Sequence, residues 1–446
     1  MMSKLGLKQA QDKMRIEGIN QIAIDVFTKN YKTLESGKSS FIDENDIEPL
    51  ENVTKMSEIK VTDEECREAL KKTAVIKLNG GLGTSMGLNK VKTAIEVRNG
   101  ENFLDIIVKQ IFHARKNSDA TLPLIFMNSF RTRDDTLNYI KQKYPEIIVD
   151  DLPLDFIQNM EPRLRADDLT PVAWLENSSL EWCPPGHGDL YPALYGNGLL
   201  DQLLKKGYEY LFVSNGDNLG ATLDAKLACH FAKTQAPFMM EVCRRTVQDK
   251  KGGHLAVRKS DKRTILRELA QTTEADAPAF QDIKRHHYFN TNTIWLNLPA
   301  LQKILKKNGG VLGLPLIQNQ KTIDPAKPDS PEIIQMESAM GAAIEIFESA
   351  IAIEVPRVRF MPVKTTNDLL MLRSDLFKID KNYSIKAQVE NLPKINLDNQ
   401  FYKLIADFDK RFAVVPSLIK VQSLTIEGDH FFAEMIELIG EVKLKK

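Results

Sequence analysis

Strand-length apolar runs alternate with helix-length segments from about residue 73 onward, and this predicts an α/β fold built on a mostly parallel sheet covered on both faces. Three observations support it. Apolar runs rich in β-branched and aromatic residues recur at 73–78, 122–127, 209–214 and 237–243. Amphipathic segments near 103–116, 132–143, 190–206 and 224–234 separate or follow them. Polar, glycine- or asparagine-bearing stretches follow three of the runs: 79–92, Asn128-Ser129-Phe130 and Asn215-Gly216-Asp217-Asn218. Sheets of this kind place ligands outside the C-terminal ends of their strands.

Composition narrows the function classes. The 446 residues allow two or three domains and a large core. Lys+Arg and Asp+Glu are each 60, so the formal net charge is zero, which argues against nucleic acid as a partner and leaves a local basic pocket open. No apolar run approaches a membrane span and the N-terminus is polar, so neither a membrane association nor a signal peptide is expected. Cys66, Cys183, Cys229 and Cys243 are scattered without a C-x-x-C pair; reduced thiols in a cytoplasmic protein are expected, with no zinc site.

Residues 1–36 read as helical, with Ile19, Ile22, Ala23, Val26 and Phe27 at helical spacing and Gly37 as a stop. Residues 38–60 are polar and acidic and are expected to wrap the surface. The first domain boundary is placed after residue 70, making 1–70 an N-terminal extension on a catalytic domain of 71–380. Short strands at 253–258, 263–270 and 292–297 are expected to extend the sheet. Ile333, Met336, Met340, Ile344 and Phe347 mark a stripe that predicts an amphipathic helix over 332–348, and another helix is expected over 366–378. Beyond 380, Leu424-Thr425-Ile426-Glu427-Gly428 and Ile436-Glu437-Leu438-Ile439-Gly440 resemble each other, as successive strands of a small β-solenoid would.

The most distinctive stretch is Lys77-Leu78-Asn79-Gly80-Gly81-Leu82-Gly83-Thr84-Ser85-Met86-Gly87, with Lys92 five residues on. Four glycines from Gly80 to Gly87 allow backbone N–H groups to turn inward and cradle phosphate, and Lys92 adds a positive charge. It is neither G-x-G-x-x-G, since Met86 stands where the third glycine belongs, nor a Walker loop, since no Gly-Lys-Ser/Thr occurs. A tight turn after a strand is the plain alternative. Asp217, at a strand end, is a carboxylate of the kind magnesium takes alongside waters and phosphates, although a helix N-cap at Asp217, Asn218 or Asp224 fits the same spacing. Asn290 and Asn292 in Phe289-Asn290-Thr291-Asn292-Thr293 would lie on one face of a strand, where amides suit sugar hydroxyls; a polar edge strand is the alternative.

The string L-N-G-G-L-G-T-S-M-G with its downstream lysine resembles the signature of the eukaryotic-type UTP–glucose-1-phosphate uridylyltransferases. Further strings match in the same order: Phe156-Ile157-Gln158-Asn159-Met160, Trp182-Cys183-Pro184-Pro185-Gly186-His187-Gly188-Asp189, Ser214-Asn215-Gly216-Asp217-Asn218-Leu219-Gly220-Ala221, Phe289 to Trp295, and Pro362-Val363-Lys364-Thr365-Thr366. The chain departs at Lys90-Val91, where the family usually has Gly-Pro, and at Thr93, usually serine. The resemblance implies a Rossmann-like, GT-A-like nucleotidyltransferase fold, with residues 381–446 as a small C-terminal β-helix domain that is also the candidate surface for self-association.

It also implies the chemistry: UMP passes from UTP to glucose 1-phosphate, giving UDP-glucose and pyrophosphate, with Mg²⁺ as cofactor and no protein nucleophile. By resemblance, Lys92 and Lys364 are the catalytic lysines and Asp217 the metal ligand. Leu78, Asn79, Gly80, Gly81, Gln158 and Gly186 bind the nucleotide, Gln158 reading the uracil edge. His187, Asn215, Gly216, Asn290 and Asn292 serve glucose 1-phosphate. A broader UDP-sugar pyrophosphorylase that also takes galactose 1-phosphate is the neighbouring reading, and a binding or scaffold protein the non-enzymatic one.

Overall fold

The computed structural model describes residues 2–37 and 40–445. The chain forms two compact units: residues 1–74, 156–213 and 226–355 make one, and residues 75–155, 214–225 and 356–446 the other. Both are mixed α/β.

In the first unit the strand Tyr288–Asn297 is inserted in the sheet. It pairs antiparallel with Tyr210–Asn215 (Tyr210 opposite Asn297) on one side and with Phe238–Arg244 (Phe238 opposite Leu296) on the other. Ile351–Glu354 then adds parallel to Phe238–Arg244, and Thr54–Lys55 parallel to that. The sheet is therefore mixed, and the 292–297 segment, expected to extend it, lies within it. Packing explains the placement: Trp295 is fully buried, 4.8 Å from the Phe212 ring and 6.2 Å from Phe231 of the helix Ala225–Thr234.

The N-terminal segment forms two helices, Met2–Ile16 and Gln21–Glu35, separated at Gly18 and restarted by Asn20, whose Oδ1 accepts the Ile22 N–H at 2.9 Å. Ala10, Met14, Ile24, Phe27 and Tyr31 pack with Leu164, Leu316 and Met336. The polar 40–60 stretch contributes two short sheet strands, Ile47–Pro49 and Thr54–Lys55, and Glu44, which pairs with the fully buried Arg267 at 2.5 Å.

Three expected helices are corrected. Residues 190–206 form two, Leu190–Gly196 and Leu199–Lys205, because Asn197-Gly198 turns the chain with Gly198 at φ 78°. Residues 332–348 contain no α-helix. Glu332–Glu337 is a strand paired antiparallel with Ile317–Thr322, and Met340–Glu345 is a run of 3₁₀ turn. The stripe is buried as expected, yet Gly341 packs so closely that a Cβ would stand 3.0 Å from Met240 Cε and 3.1 Å from Asn290 Nδ2. Tertiary packing overrides the helical period there. The helix expected over 366–378 ends at Arg373, and Phe377–Ile379 is a strand. The Arg98 guanidinium draws the chain away by donating to the carbonyls of Leu372, Ser374 and Phe377.

In the second unit Thr73–Asn79 runs parallel to Leu124–Asn128, with Val75 opposite Leu124 and Asn79 opposite Asn128. Helices Phe103–Ser118 and Arg133–Lys143 belong to this unit. Near the C-terminus, Lys394–Leu397, Ser417–Glu427 and Glu437–Lys445 stack in parallel. The two similar strings fall on neighbouring strands, but Leu424 meets Val442 and Ile426 meets Leu444, so the strings are offset in register. No helix among the described residues is long and apolar enough to cross a membrane.

Candidate active site

The candidate residues fall into two groups, one in each unit. In the second unit, Thr73–Asn79 delivers the glycine loop. The loop folds back on itself: Leu88 N–H donates to Gly83 O at 3.0 Å, Gly83 N–H to Lys90 O at 3.3 Å, and Lys92 N–H to Gly81 O at 3.2 Å. This closure returns Lys92 beside the strand end. Its Nζ donates to Asp217 Oδ2 at 2.6 Å, both side chains being less than one-fifth exposed. Asp217 Oδ1 is buried and has no hydrogen-bond partner. The capping alternative for Asp217 falls away, since the next helix starts at Ala225.

Asn79 is buried, and both its amide nitrogen and its amide oxygen are hydrogen-bonded. Nδ2 donates to Asn128 Oδ1 at 2.9 Å and to Thr136 Oγ1 at 2.8 Å, while Oδ1 accepts from Thr93 Oγ1 at 2.6 Å. Asn79 thus ties the ends of two parallel strands to the turn that carries Lys92. Thr93 keeps the hydroxyl that a serine would supply. The Leu78 carbonyl accepts the Gly216 N–H at 2.8 Å, which joins the glycine loop to Asn215-Gly216-Asp217. Gly216 is required by close packing: a Cβ there would lie 2.9 Å from Thr93 Cγ2 and 3.1 Å from Leu78 O. Gly81 is different. A Cβ on it would meet nothing within 4 Å, so the protein itself leaves that backbone open.

Asn218 secures the strand-end loop. Its Nδ2 donates to Arg359 O at 3.0 Å and its Oδ1 accepts the Met361 N–H at 2.9 Å. Val363 N–H donates to the Asp217 backbone carbonyl at 3.2 Å, and Lys364 is the next residue along the chain. The Lys364 side chain is exposed, and its backbone begins the capping box in which Asp368 Oδ2 accepts the N–H groups of Lys364 and Thr365.

Lys77 is a functional-looking residue that the sequence reading left without a role. It is buried in Thr73–Asn79, and its Nζ donates to Ser214 Oγ at 2.8 Å and Ala221 O at 2.7 Å, clamping both ends of the Ser214–Ala221 loop. A charged residue inside an otherwise apolar strand was the available signal.

In the first unit, Gly186 and His187 lie on the turn that begins the helix Leu190–Gly196. Gly186 sits at φ 78°, and a Cβ would stand 2.6 Å from Ser338 O. His187 Nδ1 accepts the Met340 N–H at 2.9 Å, which leaves the proton of the neutral ring on Nε2. Burial lowers the His187 pKa to about 4, so the ring is a neutral N–H donor at physiological pH. Asp189 is buried and pushed up to about 7 by that burial, partly opposed by two hydrogen bonds from Asn159.

Asn290 and Asn292 are both half-buried, alternating with the buried Phe289, Thr291 and Thr293, but the strand is irregular there. The register against Phe238–Arg244 shifts between Glu241 and Val242, Asn292 takes φ 56°, and its N–H donates to Asn290 Oδ1 at 2.8 Å. This is a local bulge in the pairing. Glu241 anchors it: Trp295 Nε1 donates to its Oε1 at 2.9 Å, and Thr291 Oγ1 donates to its carbonyl at 2.6 Å. Gln158 is half-buried one residue beyond the strand Asp155–Ile157.

The family model for UTP–glucose-1-phosphate uridylyltransferase matches residues 24–439. The chain belongs to that family. The Solanum tuberosum UTP–glucose-1-phosphate uridylyltransferase is 39% identical over 443 residues, covering 96% of this chain and 90% of the relative. The UDP-glucose pyrophosphorylase from Leishmania major, solved in open and closed forms, aligns with a TM-score of 0.92 at 40% identity, over 99% of this chain and 95% of that one. A variant of the Leishmania major enzyme in complex with UDP-glucose aligns with a TM-score of 0.91, at 40% identity over 99% of this chain and 94% of its own. In this chain the Lys92–Asp217 pair places opposite charges beside a strand end.

Proposed function

We propose that the chain transfers the uridylyl group of UTP to glucose 1-phosphate, reversibly, releasing UDP-glucose and pyrophosphate. The observation that carries the proposal is the Lys92–Asp217 pair, partly buried beside the strand end with Asp217 Oδ1 unpartnered, in a chain of this family. A phosphate oxygen of glucose 1-phosphate forms a bond to the α-phosphorus of UTP. The bond from that phosphorus to the bridging oxygen breaks, and the electron pair leaves with pyrophosphate. The attacking oxygen is already ionised at neutral pH, so no protein nucleophile or strong base is needed.

The chain's own contribution is positioning and charge. Lys92 offsets the triphosphate charge, and Lys364 offsets charge on the acceptor or transferred phosphate. His187 supplies a neutral N–H donor. Gly81 leaves the backbone open for close approach of the nucleotide, and Gln158 reads the pyrimidine edge through its amide. Asn290 and Asn292 offer amides to the sugar hydroxyls.

The residues present fit Mg²⁺ arriving with the nucleotide. Asp217 Oδ1 is a hard oxygen donor without a partner, and no cluster of three or more His, Cys, Asp or Glu suited to a metal occurs among the described residues. Asp217 would hold the ion, which when bound supplies further neutralisation of phosphate charge.

The three parallel C-terminal strands are read as turns of a small β-helix. Self-association through that region is proposed on the exposed Phe431, Met435 and Ile439. The four cysteines form no disulfide, which suits a cytoplasmic location.

The test is an assay of the purified chain for UDP-glucose and pyrophosphate formation from UTP and glucose 1-phosphate, with and without Mg²⁺, and with galactose 1-phosphate as a rival acceptor. Stoichiometric, Mg²⁺-dependent formation of both products is expected. Absence of product with all three components present overturns the proposal.

A further inference from the structure

Asp189 is a costly residue with no role in the chemistry described so far. Its side chain is buried, and among the described residues no cation pairs with it. Burial, and then the nearby Asp189 charge, push the Glu161 carboxyl well above its usual range, and Glu161 Oε1 has no hydrogen-bond partner. Burying a carboxylate without a cation is unfavourable unless its lone pairs are satisfied.

Those lone pairs are satisfied in one direction. Asp189 Oδ2 accepts the Asn159 backbone N–H at 2.5 Å, and Oδ1 accepts Asn159 Nδ2 at 2.9 Å. Both prongs of the fork therefore close on the residue that follows Gln158. The turn carrying Asp189 is itself fixed from the other side. Gly188 N–H donates to Ser338 O at 2.8 Å, Ser338 N–H donates to Pro185 O at 3.0 Å, and His187 Nδ1 accepts from Met340. The Asp189 carboxylate thus ties the segment bearing Gln158 to the turn bearing Gly186 and His187, beside the antiparallel pairing of Trp182 with Pro162 and Cys183 with Glu161.

We propose that Asp189 is a positioning residue for nucleobase selection, its carboxylate fork fixing the chain direction at Asn159 so that the Gln158 amide meets a pyrimidine edge in one orientation. This rests on the reading of Gln158 as the base contact. The chemistry makes orientation matter. An amide offers a donor on one side and an acceptor on the other, and the 4-carbonyl, N3–H edge of uracil is the reverse of the 4-amino, N3 edge of cytosine. A fixed amide rejects cytosine by leaving buried polar groups unpaired; one free to turn over accepts either base.

The experiment compares kcat/KM for UTP and CTP, with glucose 1-phosphate as acceptor, in the wild type, Asp189→Asn, Asn159→Ala, Gln158→Ala and the Asp189→Asn/Gln158→Ala double variant. Thermal midpoints confirm folding. Asp189→Asn is expected to lower the UTP:CTP ratio by about tenfold or more, with KM for UTP raised and KM for glucose 1-phosphate unchanged within about twofold. Asn159→Ala, which removes one prong and leaves Asp189 in place, moves the ratio the same way by less and serves if Asp189→Asn does not fold. In the Gln158→Ala background Asp189→Asn adds nothing to the loss of selectivity. If Gln158→Ala lowers the ratio while both Asp189→Asn and Asn159→Ala preserve it, the positioning role is overturned and the base contact stands. If Gln158→Ala itself preserves the ratio, the base contact is overturned and the positioning role with it.

Discussion

Replacing Gly216 by alanine tests how the glycine loop is held against the strand-end carboxylate. The added Cβ would stand 2.9 Å from Thr93 Cγ2, 3.1 Å from Leu78 O and 3.4 Å from Asn79 Oδ1. Comfortable carbon contacts lie at about 3.5–4.0 Å, so the first overlap is roughly 0.6 Å or more. Neither close neighbour yields easily. Leu78 O is held by the Gly216 N–H at 2.8 Å, and Thr93 is buried with its hydroxyl on Asn79 at 2.6 Å. Overpacking of this kind costs about 1–3 kcal/mol. Relief comes by displacing the Lys92–Ala94 turn, which carries Lys92 away from Asp217, so kcat falls as well. Thr93→Ser removes the offending methyl and keeps the hydroxyl. In that background Gly216→Ala should cost about 1 kcal/mol less, a coupling beyond the roughly 0.3–0.5 kcal/mol scatter of independent sites. Urea midpoints of the four proteins, at common m-values, measure it. Additive effects of the two substitutions would refute the reasoning.

Gly81→Ala should leave the urea midpoint within about 0.5 kcal/mol of wild type, because its Cβ meets no protein atom within 4 Å, while KM for UTP rises several-fold; an unchanged KM would contradict an open face for the nucleotide. His254 is fully buried and stacked on His286 at 3.8 Å. Burial first, and then the neighbouring His286, pull its pKa down to about 2. Its folded pKa lies below the unfolded value near 6.5, so its contribution is fully present above pH 6.5 and is lost as pH falls toward 2. Between pH 7.5 and 4.5 this amounts to about 3 kcal/mol, and His254→Gln should flatten the pH dependence of the urea midpoint over that range; parallel curves would sink the idea. Met435→Lys, at an exposed apolar position near the parallel C-terminal strands, should lower the mass seen by light scattering if those strands mediate self-association, and an unchanged assembly places the contact elsewhere.

The elements read from sequence were those whose signal is local. Thr73–Asn79, Leu124–Asn128 and Phe238–Arg244 are apolar runs with clear ends, and each lies within two residues of its expected start. The break at Asn197-Gly198 was legible in principle, since that dipeptide is a turn signal. The Ile333–Phe347 stripe was not, because its spacing satisfies a helical period while strand pairing with Ile317–Thr322 and the tight packing at Gly341 decide the outcome. The bulge at Asn290–Asn292 depends on a partner strand about fifty residues away, which no local pattern reveals. The same holds for the site. The motifs named candidate residues, but the engagement of Asn79 by Asn128, Thr136 and Thr93, the clamp made by Lys77 and the fork of Asp189 all arise from distant contacts.

Charge supplied by two lysines far apart in the chain is the core of the proposed transfer. Steady-state kinetics of Lys92→Ala and Lys364→Ala, each confirmed folded, for UDP-glucose formation from UTP and glucose 1-phosphate, tests this most directly. The expected result is a loss of about 3–4 kcal/mol of transition-state stabilisation in each, seen mainly in kcat. A near wild-type kcat in either variant would contradict the account by removing that lysine from the chemistry.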